Sequence, residues 1–205
     1  MGTSTFALGS LDALRSLLRD GALDVRARAD VVIIPTAAAF IGITEAALVT
    51  GSVFDDVDAR VEALMVSTRA EANDRYYLER LAQAELVVLC DGSALHARSV
   101  WRDSAFGEAI KAASRLVAIG AVASVLGEVM IDPRGGAPTT GLGYRGAAAL
   151  CQASSDDQML RTRSLLGDVT LVTIGATGVV HHDGDEWRVV AGDVVVTRGH
   201  DVIEL

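Results

Sequence analysis

The stretch "RLVAIGAVASVLGE", residues 115–128, reads as a buried strand bending sharply into a helix. Bends of this kind can hold a catalytic nucleophile in strained backbone, with small neighbours that let strand and helix approach. Here the bend residue is Gly120, which relieves the strain and supplies no nucleophile. A plain strand-to-helix turn is therefore the first reading of this site.

Other residues of the right types lie close in sequence. Ser93 and His96 stand three apart in "DGSALH", Cys90 precedes them, and Ser124 follows the bend. Acyl transfer needs a hydroxyl or thiol, a base to take its proton and donors for the oxyanion. A three-residue spacing does not by itself make a hydrogen-bonded pair, so polar loop or core roles are the plainer expectation for all four. "HHDGDE", residues 181–186, holds two histidines and three carboxylates, a set able to ligate a metal. Its place around a turn favours a solvated hairpin tip, and no metal or other cofactor is expected. The glycine-rich "PRGGAPTTGLG" lacks both the Lys of a phosphate-binding loop and a strand feeding a helix. His200 falls in a polar turn with no evident partner. Cys90 and Cys151 form no Cys-x-x-Cys pair and are expected to be buried, inert thiols.

The elements that must position these residues are short apolar runs alternating with helical patterns. "ADVVIIPT" (29–36), "VEALMVS" (61–67), "ELVVLCD" (85–91) and "RLVAIG" (115–120) are predicted strands, apolar enough to be covered on both faces. Ser10 is placed to cap a helix with Leu14, Leu17 and Leu18 on one side and Gly21 at its end. Asn73 or Asp74 opens a helix with Tyr77, Leu78 and Leu81 inward, and Asp103 or Ser104 opens one carrying Phe106 and Ile110. After the bend, Val122, Val125, Leu126, Val129 and Met130 recur with helical period. Ser155 and Gln158 have capping-box spacing ahead of a helix that Gly167 ends. "VTLVTI", "GVVHH", "EWRVVA" and "DVVVTR" are short strands, with a hairpin turn at Asp183-Gly184. The expected fold is α/β, a three-layer α/β/α sandwich with a mainly parallel, doubly wound sheet and antiparallel C-terminal strands, as one domain over residues 1–205.

The totals narrow the function classes. Net charge is −9 and no Lys/Arg cluster offsets it, which argues against nucleic acid as a partner. Half of the residues are hydrophobic, yet no window offers an uncharged apolar run long enough for a membrane span, and "MGTSTFALGS" lacks the pattern of a signal peptide. A soluble cytoplasmic protein is the expectation. Trp101, Phe106 and the tyrosines are candidates for an interface, and a homodimer is expected.

From residue 29 to residue 196 the chain resembles the cyanophycinase and dipeptidase E family of serine peptidases, which have the class I glutamine amidotransferase-like fold. The resemblance rests on "ADVVIIPTAAAF", "LAQAELVVLCDGSALHARSVWRDSAFGEAIKAA", "VLGEVMIDPRGG", "GLGYRGAAAL" and "VVHHDGDEWRVVAGDVVV", in that order and spacing. It implies that Gly120 stands at the nucleophile position of a Ser-Ala-Gly-Ala elbow, followed by Ala121, Val122 and Ala123. It places the catalytic His near Gln152, and it aligns Asp91-Gly92 with a Gly-Gly that helps form the oxyanion hole. With no hydroxyl, no base and a carboxylate at Asp91, serine peptidase chemistry is not expected to survive.

The residues expected to line a ligand cleft are Asp91, Gly92, Ser93, Gly120, Ala121 and Gln152. The leading expectation is a catalytically degenerate relative that binds a small or peptide-like ligand without hydrolysing it. The alternatives are an interaction protein, such as the inactive partner of an active paralogue, and a hydrolase with a relocated nucleophile.

Overall fold

A computed structural model describes residues 3–199 and 201–204; His200 lies outside the described residues. The strands are β1 (Ser4–Leu8), β2 (Ala29–Ile34), β3 (Ala59–Ala63), β4 (Leu86–Leu89), β5 (Arg115–Ile119), β6 (Val129–Ile131), β7 (Pro138–Thr140), β8 (Ala149–Gln152), β9 (Thr170–Ile174), β10 (Val179–His182), β11 (Trp187–Ala191), β12 (Val194–Arg198) and β13 (Asp201–Val202). The α-helices are α1 (Leu11–Arg19), α2 (Ile43–Gly51), α3 (Arg75–Ala82), α4 (Ala94–Trp101), α5 (Ala105–Ala112) and α6 (Asp156–Leu166).

The strands make two sheets. The larger has the order β11-β10-β1-β5-β4-β2-β3 and is parallel from β1 to β3. The second has the order β13-β12-β9-β8-β6-β7, parallel only across β9, β8 and β6. Both faces of β1, β2, β4 and β5 are covered, as their continuous apolar runs require. The strand expected at 61–67 and covered on both faces instead forms at Ala59–Ala63, as a half-exposed edge strand with polar Arg60 and Glu62. Phe6, Leu8, Val31, Ile33, Val88, Val117 and Ile119 face one way, onto Leu14 and Leu17 of α1 and toward α2. Ala7, Val32, Ile34, Val87, Leu89, Leu116 and Ala118 face the other way. There they meet α3, α4 and α5 together with Met130, Leu150 and Val172 of the second sheet. Met159 and Leu166 of α6 close the far side of that sheet over Ala149 and Leu171. The result is an α/β sandwich with helices on both sides.

Helix starts follow the capping residues. Ser10, Asp74, Ser104 and Ser155 each accept a backbone N–H of the first turn, and Gly167 ends α6 at φ +60°. The hairpin turn between β10 and β11 carries Gly184 at φ +110°. Among the described residues no helix is long and apolar enough to cross a membrane.

Four further expectations need correction. The helix predicted after Gly120 is a 3-10 turn, Gly120–Val125, followed by strand β6. Residues 122–126 are all buried, so their helical period marks no solvent-facing side. Their carbonyls are also taken from across the fold. Val125 O accepts Leu142 N–H at 2.9 Å, and Leu126 O accepts Tyr144 N–H at 2.7 Å. The C-terminal strands do not form one antiparallel extension. β10 and β11 extend the first sheet, whereas β9 runs parallel to β8 in the second. Trp101 and Phe106 are core residues, with 1% and 0% exposure, and are not available to an interface. The histidines of "HHDGDE" are not at a solvated tip: His182 is buried edge-on against Trp187, and His181 packs on Phe6.

Candidate functional site

The candidate site gathers at the carboxyl ends of β4 and β5, which are adjacent and parallel, where open α/β sheets place their ligands. Gly120 leaves β5 at φ +67°, a left-handed conformation that suits glycine. Asp91, two residues beyond the end of β4, reaches across to it. A Cβ on Gly120 would lie 2.1 Å from the Asp91 Cγ and 2.2 and 2.4 Å from its two carboxylate oxygens. The space that a side chain at position 120 would occupy is therefore filled by the carboxylate of Asp91.

That carboxylate is held by backbone. Asp91 Oδ1 accepts the N–H of Gly92 at 2.7 Å and the N–H of Ala121 at 2.8 Å. One donor follows the bend residue and the other comes from the neighbouring loop, the two sources from which an acyl-transfer elbow builds its oxyanion hole. Both already converge on an anionic oxygen supplied by the chain itself. Gly92 is required for this approach: it sits at φ +146°, and a Cβ there would fall 2.3 Å from Ala37 O.

Beside the bend lies a cavity of about 210 Å³, walled by Ala121 and Ser124 on one side and by Gln152, Ser154, Gln158 and Thr162 on the other. Its hydrogen-bonding groups are hydroxyls and amides, and Cys151 is its one titratable lining residue. Gln152, at the end of β8, donates its amide to Gly9 O at 3.3 Å, linking the second sheet to the end of β1. An amide there can orient a ligand but cannot act as a general base at neutral pH.

Of the six expected cleft residues, Asp91, Gly92, Gly120 and Ala121 come together through direct contacts, and Gln152 shares the cavity with Ala121. Ser93 has a different job. Its Oγ caps α4 by accepting the His96 N–H at 3.2 Å, and the His96 ring bonds Ser67 O at 3.0 Å and packs on Phe40. Their spacing is that of a helix cap, not a nucleophile and base. Ser124 donates to Ala121 O at 2.8 Å and lines the cavity wall. Cys90 is buried beneath α2 against Thr50, and desolvation pushes its thiol up to about 11. Burial likewise raises Cys151 to about 11. Neither thiol is activated as a nucleophile.

Sequence reasoning missed the contribution of α6 to the cavity wall, since Gln158 was read only as half of a capping box and Thr162 was not singled out. It also missed the one Ser–His side-chain hydrogen bond among the described residues, Ser4 Oγ to His181 Nε2 at 2.9 Å. That pair stands at the amino ends of β1 and β5, the opposite edge of the sheet from Gly120. Among the described residues, no group of three or more His, Cys, Asp or Glu is arranged to hold a metal ion.

No family model matches the chain, and no curated protein matches it. Solved structures do. A peptidase from an acI-B1 actinobacterium superposes with a TM-score of 0.73 at 18% identity, covering 100% of this chain and 98% of the other. A protein described as a candidate peptidase E from Listeria monocytogenes EGD-e gives a TM-score of 0.66 at 13% identity, covering 97% and 99%. Identities this low speak for fold alone, and the coverage extends that likeness over nearly the whole of each chain. This chain has the α/β fold of peptidase E-like proteins.

Proposed function

We propose that this protein is a non-hydrolysing relative of the peptidases whose fold it has, a single domain that binds a small or peptide-like ligand in the cavity beside Gly120. The observation that carries the reading is the Asp91 carboxylate. It occupies the space of a residue-120 side chain and takes both N–H groups that an oxyanion would need. A serine mechanism requires a hydroxyl, a base and a free oxyanion site. At this elbow Gly120 brings no hydroxyl, Gln152 brings no base, and the donors are engaged. The cavity retains neutral hydrogen-bonding side chains, which suit the amide and hydroxyl groups of a small polar ligand.

The test has two arms. Purified protein is incubated with Asp-containing dipeptides and branched aspartyl-arginine polymers, and the same panel is titrated by calorimetry. Binding of one or more members without product is the expected outcome. Turnover that disappears on Ser93→Ala, Ser124→Ala or Cys90→Ala would overturn the reading and identify a working nucleophile. Failure of every member to bind would remove the ligand-binding half.

A further inference from the structure

We infer that the open edge of the larger sheet, strand β3, is the seat of a two-fold dimer in which β3 pairs antiparallel with β3 of a second copy about Val61. The inference is independent of the elbow and rests on three features of that edge.

The first is its free backbone. Among the described residues β3 bonds to β2 alone. Leu64 N–H donates to Ile33 O at 2.9 Å, and Asp58 O accepts Arg28 N–H at 2.5 Å. Residues 58, 60, 62 and 64 thus turn their backbone groups inward, and strand alternation turns those of Val61 outward. An antiparallel copy centred there makes two reciprocal N–H to C=O bonds between the two Val61 residues.

The second is charge. The sequence at the axis is Arg60-Val61-Glu62, which is its own complement when reversed. Antiparallel pairing sets each Arg60 directly opposite the partner copy's Glu62, whereas an in-register parallel copy would set like charges together. Within one chain Arg60 already holds Asp30 at 2.8 Å, and Glu62 holds Arg80. Joining the edges therefore builds a row of alternating sign from Asp30 through Arg60 to Glu62 and Arg80 of the second copy, and its symmetric twin. The same charges oppose pairing with an arbitrary strand.

The third is the apolar face beside the axis. Val61 is 40% exposed and Leu48, on α2, is 70% exposed. Between them runs a groove of about 760 Å³ lined also by Phe54, Val57 and Met65. A two-fold axis perpendicular to the sheet keeps both α2 helices on one face, so each copy brings Leu48 and Val61 to the same seam. An isologous contact of this kind closes on itself and leaves no further β3 edge for growth.

The experiment measures the mass of the full chain by light scattering and sedimentation equilibrium across micromolar concentrations. Twice the chain mass is expected. Val61→Pro removes an N–H that β2 does not use, a change an edge strand tolerates, and should return the protein to monomer with its circular dichroism intact. Should that variant not fold, an equimolar mixture of Arg60→Cys and Glu62→Cys provides the second reading: these positions face each other as a closely spaced, non-hydrogen-bonded pair, and mild oxidation should link the two variants as a disulfide dimer. Cys90 and Cys151 are buried and provide the wild-type background. A wild-type monomer throughout the range would overturn the inference. So would a dimer that survives Val61→Pro, or failure of the mixed Arg60→Cys and Glu62→Cys variants to cross-link.

Discussion

The contact between Asp91 and Gly120 makes a quantitative prediction about stability. Gly120→Ala adds one methyl group, and two things oppose it. The left-handed backbone at φ +67° costs a non-glycine residue roughly 1–2 kcal/mol. The methyl also lands 2.1 Å from Asp91 Cγ, so the carboxylate must swing away and release the Gly92 and Ala121 N–H groups. Hydrogen bonds to a charged acceptor contribute about 1.5–3 kcal/mol each where buried. Asp91 is exposed and water replaces much of that, so about 1–2 kcal/mol for the pair is the working figure. Gly120→Ala should thus destabilise by about 3 kcal/mol, and Asp91→Ala alone by about 1–2 kcal/mol. The double variant should lose only about 3 kcal/mol, because the carboxylate cannot be displaced twice. A coupling of about 1–2 kcal/mol then appears in a double-mutant cycle measured by urea unfolding. Additivity within about 0.5 kcal/mol would refute the reasoning, since it would mean that Asp91 does not occupy the Gly120 side-chain space. Gly120→Ser should behave like Gly120→Ala and remain without peptidase activity, as Gln152 still cannot take its proton.

Three further outcomes follow from buried groups. Arg145 donates to Thr5 Oγ1 and to the carbonyls of Lys111, Ala113 and Tyr144, with no salt-bridge partner among the described residues. Arg145→Met should therefore cost about 3 kcal/mol, a fall of roughly 10 °C in melting temperature by calorimetry. Burial holds the imidazoles of His181 and His182 below the ordinary range; Arg145 adds to this at His182, and Asp183 opposes it at both. The unfolded chain then binds more protons as pH falls through about 6.5. The melting temperature should drop between about pH 7.5 and 5.5, less steeply in His182→Phe; an unchanged slope would count against the assignment. Cys90 and Cys151, with thiols raised to about 11, should resist an aromatic disulfide reagent at about pH 8 and react fully in urea.

Much of this molecule is determined locally. The apolar runs at 29–36, 85–91 and 115–120 pointed to strands covered on both faces, and strands form at 29–34, 86–89 and 115–119 within them. Ser10, Asp74, Ser104 and Ser155 start helices because a side-chain oxygen satisfies the free N–H groups of a first turn. Gly120, Asp91 and Gln152 were singled out as candidate positions from their places at strand ends and from the resemblance to serine peptidases, and the structure puts Asp91 against Gly120 and Gln152 beside the same cavity as Ala121. What each does was not legible. Residues 120–130 carry a helical period and still form a 3-10 turn and a strand, since the loop at 141–145 competes for their carbonyls from outside. Asp91 was read as a charge opposing an oxyanion; its carboxylate instead takes the N–H groups of Gly92 and Ala121, a relation between two strand ends that neither segment encodes alone. The division of the C-terminal strands between two sheets depends likewise on which edges remain open once β1 and β8 are set. Sequence specifies elements whose hydrogen bonds and burial close within a segment; tertiary structure decides wherever a backbone group or a cavity wall takes its partner from a distant one.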